Sequence, residues 1–138
     1  MGMGSFDSVK ERIKQHEGKR HTPYKDSEGI LTVGYGRNLE AIPFSEGEID
    51  LMFENDFRRA VDRAESFFVY HALNEVRRGV LIEMIFQMGA KGVSKFVKFL
   101  DAAAEGDWQR AHDEMLNSRW HDQTPERAEK LAKIFLNG

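Results

Sequence analysis

Residues 16–36 read HEGKRHTPYKDSEGILTVGYG, and this run decides the fold class of the chain. It opens on the end of a helix. Upstream, Asp7 or Ser8 stands as a cap, Val9 and Ile13 recur at helical spacing, and Gly18 after His16-Glu17 supplies a left-handed stop. The pattern then changes. Asp26-Ser27-Glu28-Gly29 is a turn signal, and Ile30, Leu31, Thr32, Val33 and Tyr35 are strand formers. The run therefore predicts a first helix over about 8–16, then a small antiparallel sheet with Asp26 in its turn and Thr32 on the following strand. Gly34 and Gly36 permit close backbone approach or unusual dihedrals there.

Everything after this run reads as helix. A loop punctuated by Pro43 leads to Ser45 and Glu48, which form a capping-box pattern. Ile49, Met52, Phe53, Phe57, Ala60, Val61, Ala64 and Phe67 follow at helical spacing, so one long helix is predicted. Asn74 caps a second strong helix that runs through Met88 to a stop at Gly89, and its Val76, Val80, Leu81, Met84, Ile85 and Phe86 cover more than one face. Shorter helices are predicted over about 94–104 and 107–116, and Thr124-Pro125 opens a last one to about 136. The class is α+β, mostly helical.

Composition limits what such a chain does. At 138 residues it is one compact domain or two lobes sharing a helix, with a 41% hydrophobic share that suits a buried core rather than disorder. The absence of Cys removes disulfides and thiolate metal sites. The five His show no metal-ligand spacing, so neither metal nor cofactor is expected. Gly34-x-Gly36 is too short for a nucleotide loop. A net charge of −3, with basic residues scattered rather than striped, disfavours nucleic acid. No apolar run approaches membrane-spanning length and the polar start does not read as a secretory signal, so neither membrane nor export is expected, and monomer is the default. Met1-Gly2-Met3-Gly4 is left out of the fold reading.

Glycoside hydrolysis needs one carboxyl to protonate a leaving oxygen and a second group to manage the developing cation and the attacking water. Glu17 and Asp26, with Thr32 as a water-holding hydroxyl, meet that need in kind. Each also has a plainer reading. Glu17 suits a solvated helix end, Asp26 a turn, and Thr32 a strand.

Several ordered blocks together resemble the phage-type lysozymes of glycoside hydrolase family 24, those of T-even bacteriophages in particular. They are Glu17-Gly18, Tyr24-Lys25-Asp26-x-Glu28-Gly29, Thr32-x-Gly34-x-Gly36, Val76-Arg77-Arg78, Phe86-Gln87-Met88-Gly89 and Ser118-Arg119-Trp120-x-x-Gln123-Thr124-Pro125-x-Arg127-Ala128. The resemblance implies a two-lobed fold: a small lobe over about 17–44, a linking helix over about 45–68, and a helical lobe over about 69–138 on which the first helix packs. It implies a cleft lined by Glu17, Asp26 and Thr32, and hydrolysis of the β-1,4 bond between N-acetylmuramic acid and N-acetylglucosamine in peptidoglycan. Glu17 would be the general acid, partly buried, with Arg127 orienting it. Asp26 would stay ionised, and Thr32 would hold the water. Inversion follows by the same resemblance, with the carboxyls roughly 6.5–9.5 Å apart. Phe86 and Gln87 match substrate-contacting positions; Trp120 reads better as a core aromatic.

The chain also departs from that family's pattern. Only Arg37 to Phe44 separates the sheet from the linking helix, and Arg37 stands where the family has His, removing one ion pair. Two positions associated with sugar contact read Phe99 and Glu114. The implied biology is an endolysin of a phage or prophage, made in the host cytoplasm and released to the wall by a holin. Two rivals remain: a lytic transglycosylase, and a wall-binding module without turnover.

Overall fold

The computed structural model describes residues 6–138, so Met1-Gly2-Met3-Gly4 lies outside it. Two compact units divide the chain, one up to Ile49 and the other Asp50–Gly138.

The first unit holds helix α1 (Asp7–Glu17) and strands β1 (Arg20–Lys25), β2 (Leu31–Gly34) and β3 (Arg37–Asn38). The strands form one antiparallel sheet in the order β1-β2-β3. Thr32 thus sits on the central strand, opposite Tyr24 on one side and Asn38 on the other. Pro23 lies in β1 where the register slips between Arg20 and Tyr24; an edge strand tolerates the missing N–H. The expected cap on α1 is not made. Phe6 holds the N-cap position without a side-chain bond, and Asp7 falls inside the first turn, where its negative charge favours the positive end of the helix dipole. Gly18 ends the helix as expected with a positive φ of 75°, although its ψ of 153° is extended rather than left-handed helical.

The second unit is helical. Helix α2 (Glu46–Glu65) begins just before it. The capping box at its start forms in both directions: Ser45 N–H donates to Glu48 Oε1 at 2.8 Å, and Glu48 N–H to Ser45 Oγ at 3.2 Å. Its buried residues are the small ones, Ala60 and Ala64, whereas Ile49, Met52, Phe53 and Phe57 remain exposed. A 3₁₀ turn (Phe68–Ala72) then leads to α3 (Glu75–Ser94). Asn74 caps α3 by accepting from Arg77 N–H, and Gly89, at φ 79° and ψ 160°, breaks it where a stop was predicted.

Helices α4 (Val97–Ala104), α5 (Trp108–Leu116), α6 (Arg119–Gln123) and α7 (Pro125–Asn137) complete the unit. Asp107 and Ser118 cap α5 and α6 with their side chains. Thr124 does not cap α7: its hydroxyl instead donates to the Trp120 carbonyl at 3.2 Å. The fully buried side chains include Leu81, Met84, Val93, Phe99, Met115 and Phe135. Phe135 meets Phe99 edge-on at 5.2 Å and Trp108 at 5.8 Å. Arg77 is buried beside them, donating from Nε to the Phe135 carbonyl at 2.7 Å and from Nη2 to Leu136 at 3.1 Å. A cation thus completes the negative end of α7.

Candidate active site

Glu17, Asp26 and Thr32 all belong to the first unit, and local bonding sets each of them. Asp26 sits in the turn after β1. Its Oδ1 accepts the N–H of Glu28 at 2.8 Å and that of Ile30 at 2.9 Å, which fixes the carboxylate's orientation. Among the described residues its other oxygen makes no hydrogen bond. Thr32 is buried at 4% exposure, and its Oγ1 donates to the Ile30 carbonyl at 2.8 Å. The same carbonyl accepts the Asp26 N–H at 2.9 Å. One residue's backbone therefore ties the two side chains together: the Ile30 N–H holds the carboxylate, and the Ile30 carbonyl holds the hydroxyl. Because the Thr32 proton is committed, its free lone pairs are left as acceptors.

Glu17 is the last residue of α1. Its carboxyl lies against the backbone of Gly36, so closely that a Cβ built on Gly36 would stand 2.6 Å from Glu17 Oε2. Gly36, at φ 80°, is the residue that lets the β2–β3 link approach the acid. The Gly34-x-Gly36 spacing was its only sequence signal. The partial burial expected for Glu17 is not present: as the end of a helix with no buried residue, it is exposed.

Arg37 keeps a partner in spite of replacing the family's His. Its guanidinium forks onto the Glu48 carboxylate, with the Nη1–Oε1 arm at 3.3 Å, and lies 5.6 Å from the Phe44 ring. The Arg37 bonds first, and then the Ser45 N–H, pull the Glu48 pKa from 4.5 to about 2. The ion pair that looked lost on sequence is rebuilt with the capping glutamate of α2.

The remaining candidates lie in the second unit. Phe86 is half exposed, its ring 5.7 Å from that of Phe53. Gln87 spends its amide internally: Oε1 accepts from Trp120 Nε1 at 3.0 Å, and Nε2 donates to Thr124 Oγ1 at 3.4 Å. Trp120 is buried at 3% exposure, as its core reading expected. Arg127 pairs with Glu83, both its Nε and its Nη2 lying 3.0 Å from Oε2. Phe99 is a core residue, while Glu114 is half buried on the wall of a cavity of about 620 Å³ that also reaches Lys95, Arg119 and Trp120. Among the described residues no three His, Asp or Glu side chains converge as metal ligands.

A helix-rich α+β chain with a fixed Asp–Thr pair and a carboxyl at a helix end holds the kinds of group that glycoside hydrolysis uses. The model of the phage lysozyme family matches residues 14–133. Probable T4-type lysozyme 2 of Dictyostelium discoideum is 34% identical over 161 aligned positions, which take in 95% of each chain. Probable T4-type lysozyme 1 of the same organism is 30% identical with the same coverage. Pre-baseplate central spike protein Gp5 of Enterobacteria phage T4 is 30% identical over 95% of this chain and 28% of its own length. The chain belongs to the phage lysozyme family and is a lysozyme, a hydrolase acting on peptidoglycan. Among the described residues, no helix is long and apolar enough to cross a membrane.

Proposed function

We propose that this lysozyme cleaves the β-1,4 bond between N-acetylmuramic acid and N-acetylglucosamine, with Glu17 as general acid and Asp26 and Thr32 managing the water, and with inversion at the anomeric carbon. The observation that carries the reading is the Ile30 backbone, whose N–H binds the Asp26 carboxylate and whose carbonyl binds the Thr32 hydroxyl. A water that donates to Thr32 Oγ1 is held by an acceptor that cannot rotate away, since the hydroxyl proton is already given to Ile30. The nearby Asp26 carboxylate then takes a proton from that water and faces the positive charge growing on the sugar ring. Glu17, on the separate support of Gly36, protonates the leaving oxygen. Its bound glycan strand shields the carboxyl from water, which the protein alone does not do.

Phe86 and Gln87 contact the glycan. For Gln87 that contact uses whatever capacity remains after Trp120 and Thr124 are served. The biological role that fits is wall lysis by a phage or prophage enzyme reaching its substrate after holin-type permeabilisation. Relatives include a protein named SAR-endolysin of Bacteriophage PS119, 31% identical over 75% of this chain.

The test is to digest purified peptidoglycan with the parent and with Glu17→Gln and to identify the released muropeptides by mass spectrometry. Reducing muramyl ends from the parent alone are expected. Anhydro-muramyl ends would make it a lytic transglycosylase. Binding without release would make it a wall-binding module.

A further inference from the structure

The link between β2 and β3 does more than turn the chain. Gly34 and Gly36, at φ 68° and 80°, bracket Tyr35 and fold the backbone back within two residues. This leaves the Tyr35 ring outside, 40% exposed, with Lys14 Nζ 5.4 Å and Lys19 Nζ 5.8 Å from its centroid. Both distances are within the range at which an ammonium is drawn to an aromatic face. Lys14 lies one helical turn before Glu17, and Lys19 lies just past the Gly18 break. The two cations thus flank the acid in sequence and share one ring from the opposite strand link. Glu11, 3.6 Å from Lys14, holds that lysine on the same face of α1.

This grip matters because little else secures the helix end. None of the residues of α1 is buried, so its C-terminal turn lacks a core anchor. On the other side of the same two-residue link, the Gly36 backbone touches the Glu17 carboxyl. Whatever fixes the link to α1 therefore fixes the carboxyl relative to the sheet that carries Asp26 and Thr32.

We propose that Tyr35, gripped by Lys14 and Lys19, is a positioning residue for Glu17: it clamps the β2–β3 link onto the end of α1 and so sets the acid against Gly36. The proposal rests on the reading of Glu17 as general acid. The role assigned to Tyr35 runs through Glu17 and requires no contact with the reacting atoms. Its loss lets the carboxyl drift, and small misplacement of a catalytic group costs rate rather than binding.

The experiment compares the full chain with Tyr35→Ala, Tyr35→Phe, the double variant Lys14→Met/Lys19→Met, and Glu17→Gln, on soluble uncrosslinked glycan strands, with circular dichroism as a check on folding. Tyr35→Ala is expected to lower kcat by about tenfold or more with KM changed less than about twofold. Tyr35→Phe keeps the ring and stays within about twofold of the parent. The lysine double variant, which leaves the strand link untouched, follows Tyr35→Ala and serves in its place if that variant does not fold. An unchanged kcat in the lysine double variant, or a Tyr35→Phe as slow as Tyr35→Ala, overturns the clamp. If Glu17→Gln is dead in the same assay, that failure leaves the acid's role standing. Activity in Glu17→Gln overturns the reading beneath both.

Discussion

Arg37 and Glu48 illustrate how one residue's electrostatics are set by its neighbours rather than by its type. The Glu48 carboxylate accepts from Arg37 and from the Ser45 N–H, and its pKa falls from 4.5 to about 2. A depressed carboxylate pKa stabilises the fold above the unfolded value, and that contribution disappears as pH falls from about 4.5 through about 2. Glu48→Gln is therefore expected to lower the melting temperature at neutral pH, with the difference from the parent shrinking as pH falls toward about 2. The amide oxygen still accepts the Ser45 N–H, so the cap is kept while the charge and the second acceptor for Arg37 are removed. Thermal melts across this range check it, and a difference that does not shrink removes the ion pair from the account. Asp26 and Thr32 could be placed from sequence because their bonds run to residues two to four positions away. The seat of Glu17 could not, because Gly36 lies far along the chain and its contact needs the sheet to be formed first. Arg37 was misjudged for the same reason: Glu48, eleven positions on, was read only as a cap.

At the level of elements, the signals that worked were those with a local mechanism. Ser45 and Glu48 announced α2, Asn74 announced α3, and Gly89 announced the break within it. Gly89 gives a clean measurement, since a Cβ there would meet no atom within 4 Å although φ is 79°. Gly89→Ala thus tests backbone strain alone, and the expected cost is about 1–3 kcal/mol, the penalty for an L-residue held at positive φ with an extended ψ. Urea unfolding of the two proteins reads it directly; no loss of stability would mean that the helix straightens through this point. Strand β3 went unread because Arg37-Asn38 contains no strand former and pairs only by virtue of the link before it. Helix α6 is a single short turn and a half whose capping serine had been absorbed into a longer block. Thr124 makes no side-chain cap because its hydroxyl donates back to the Trp120 carbonyl, four residues earlier, and accepts from Gln87. One local side-chain-to-backbone bond has displaced another.

Across the whole molecule, burial is divided very unevenly. Every buried apolar side chain among the described residues lies at Ala60 or beyond, and up to Ile49 the one buried residue is Thr32. The first unit is held by backbone ladders, the Asp26 turn, the Arg37–Glu48 pair and the Tyr35 clamp, and exposed bonds of these kinds stabilise little. The second unit has a packed core in which Phe96, Phe99 and Phe135 each meet two other aromatic rings. Stability should therefore be graded along the chain, with the proposed catalytic residues in its weaker part. Native-state hydrogen exchange is expected to show the amides of β1–β3 opening at low free energy and those of α3 and α7 only near the global value. Phe135→Ala separates the two levels. It should cost about 3–5 kcal/mol in the slow class, as a large cavity does, while leaving exchange in the sheet nearly unchanged. If the sheet amides instead slow to the global value in the parent and move with Phe135→Ala, the sheet unfolds only together with the helical core. With graded stability, heating should extinguish turnover before the helical circular dichroism signal falls, because the carboxyls and the threonine lose their geometry first. Coincident loss of turnover and helix would count against that order.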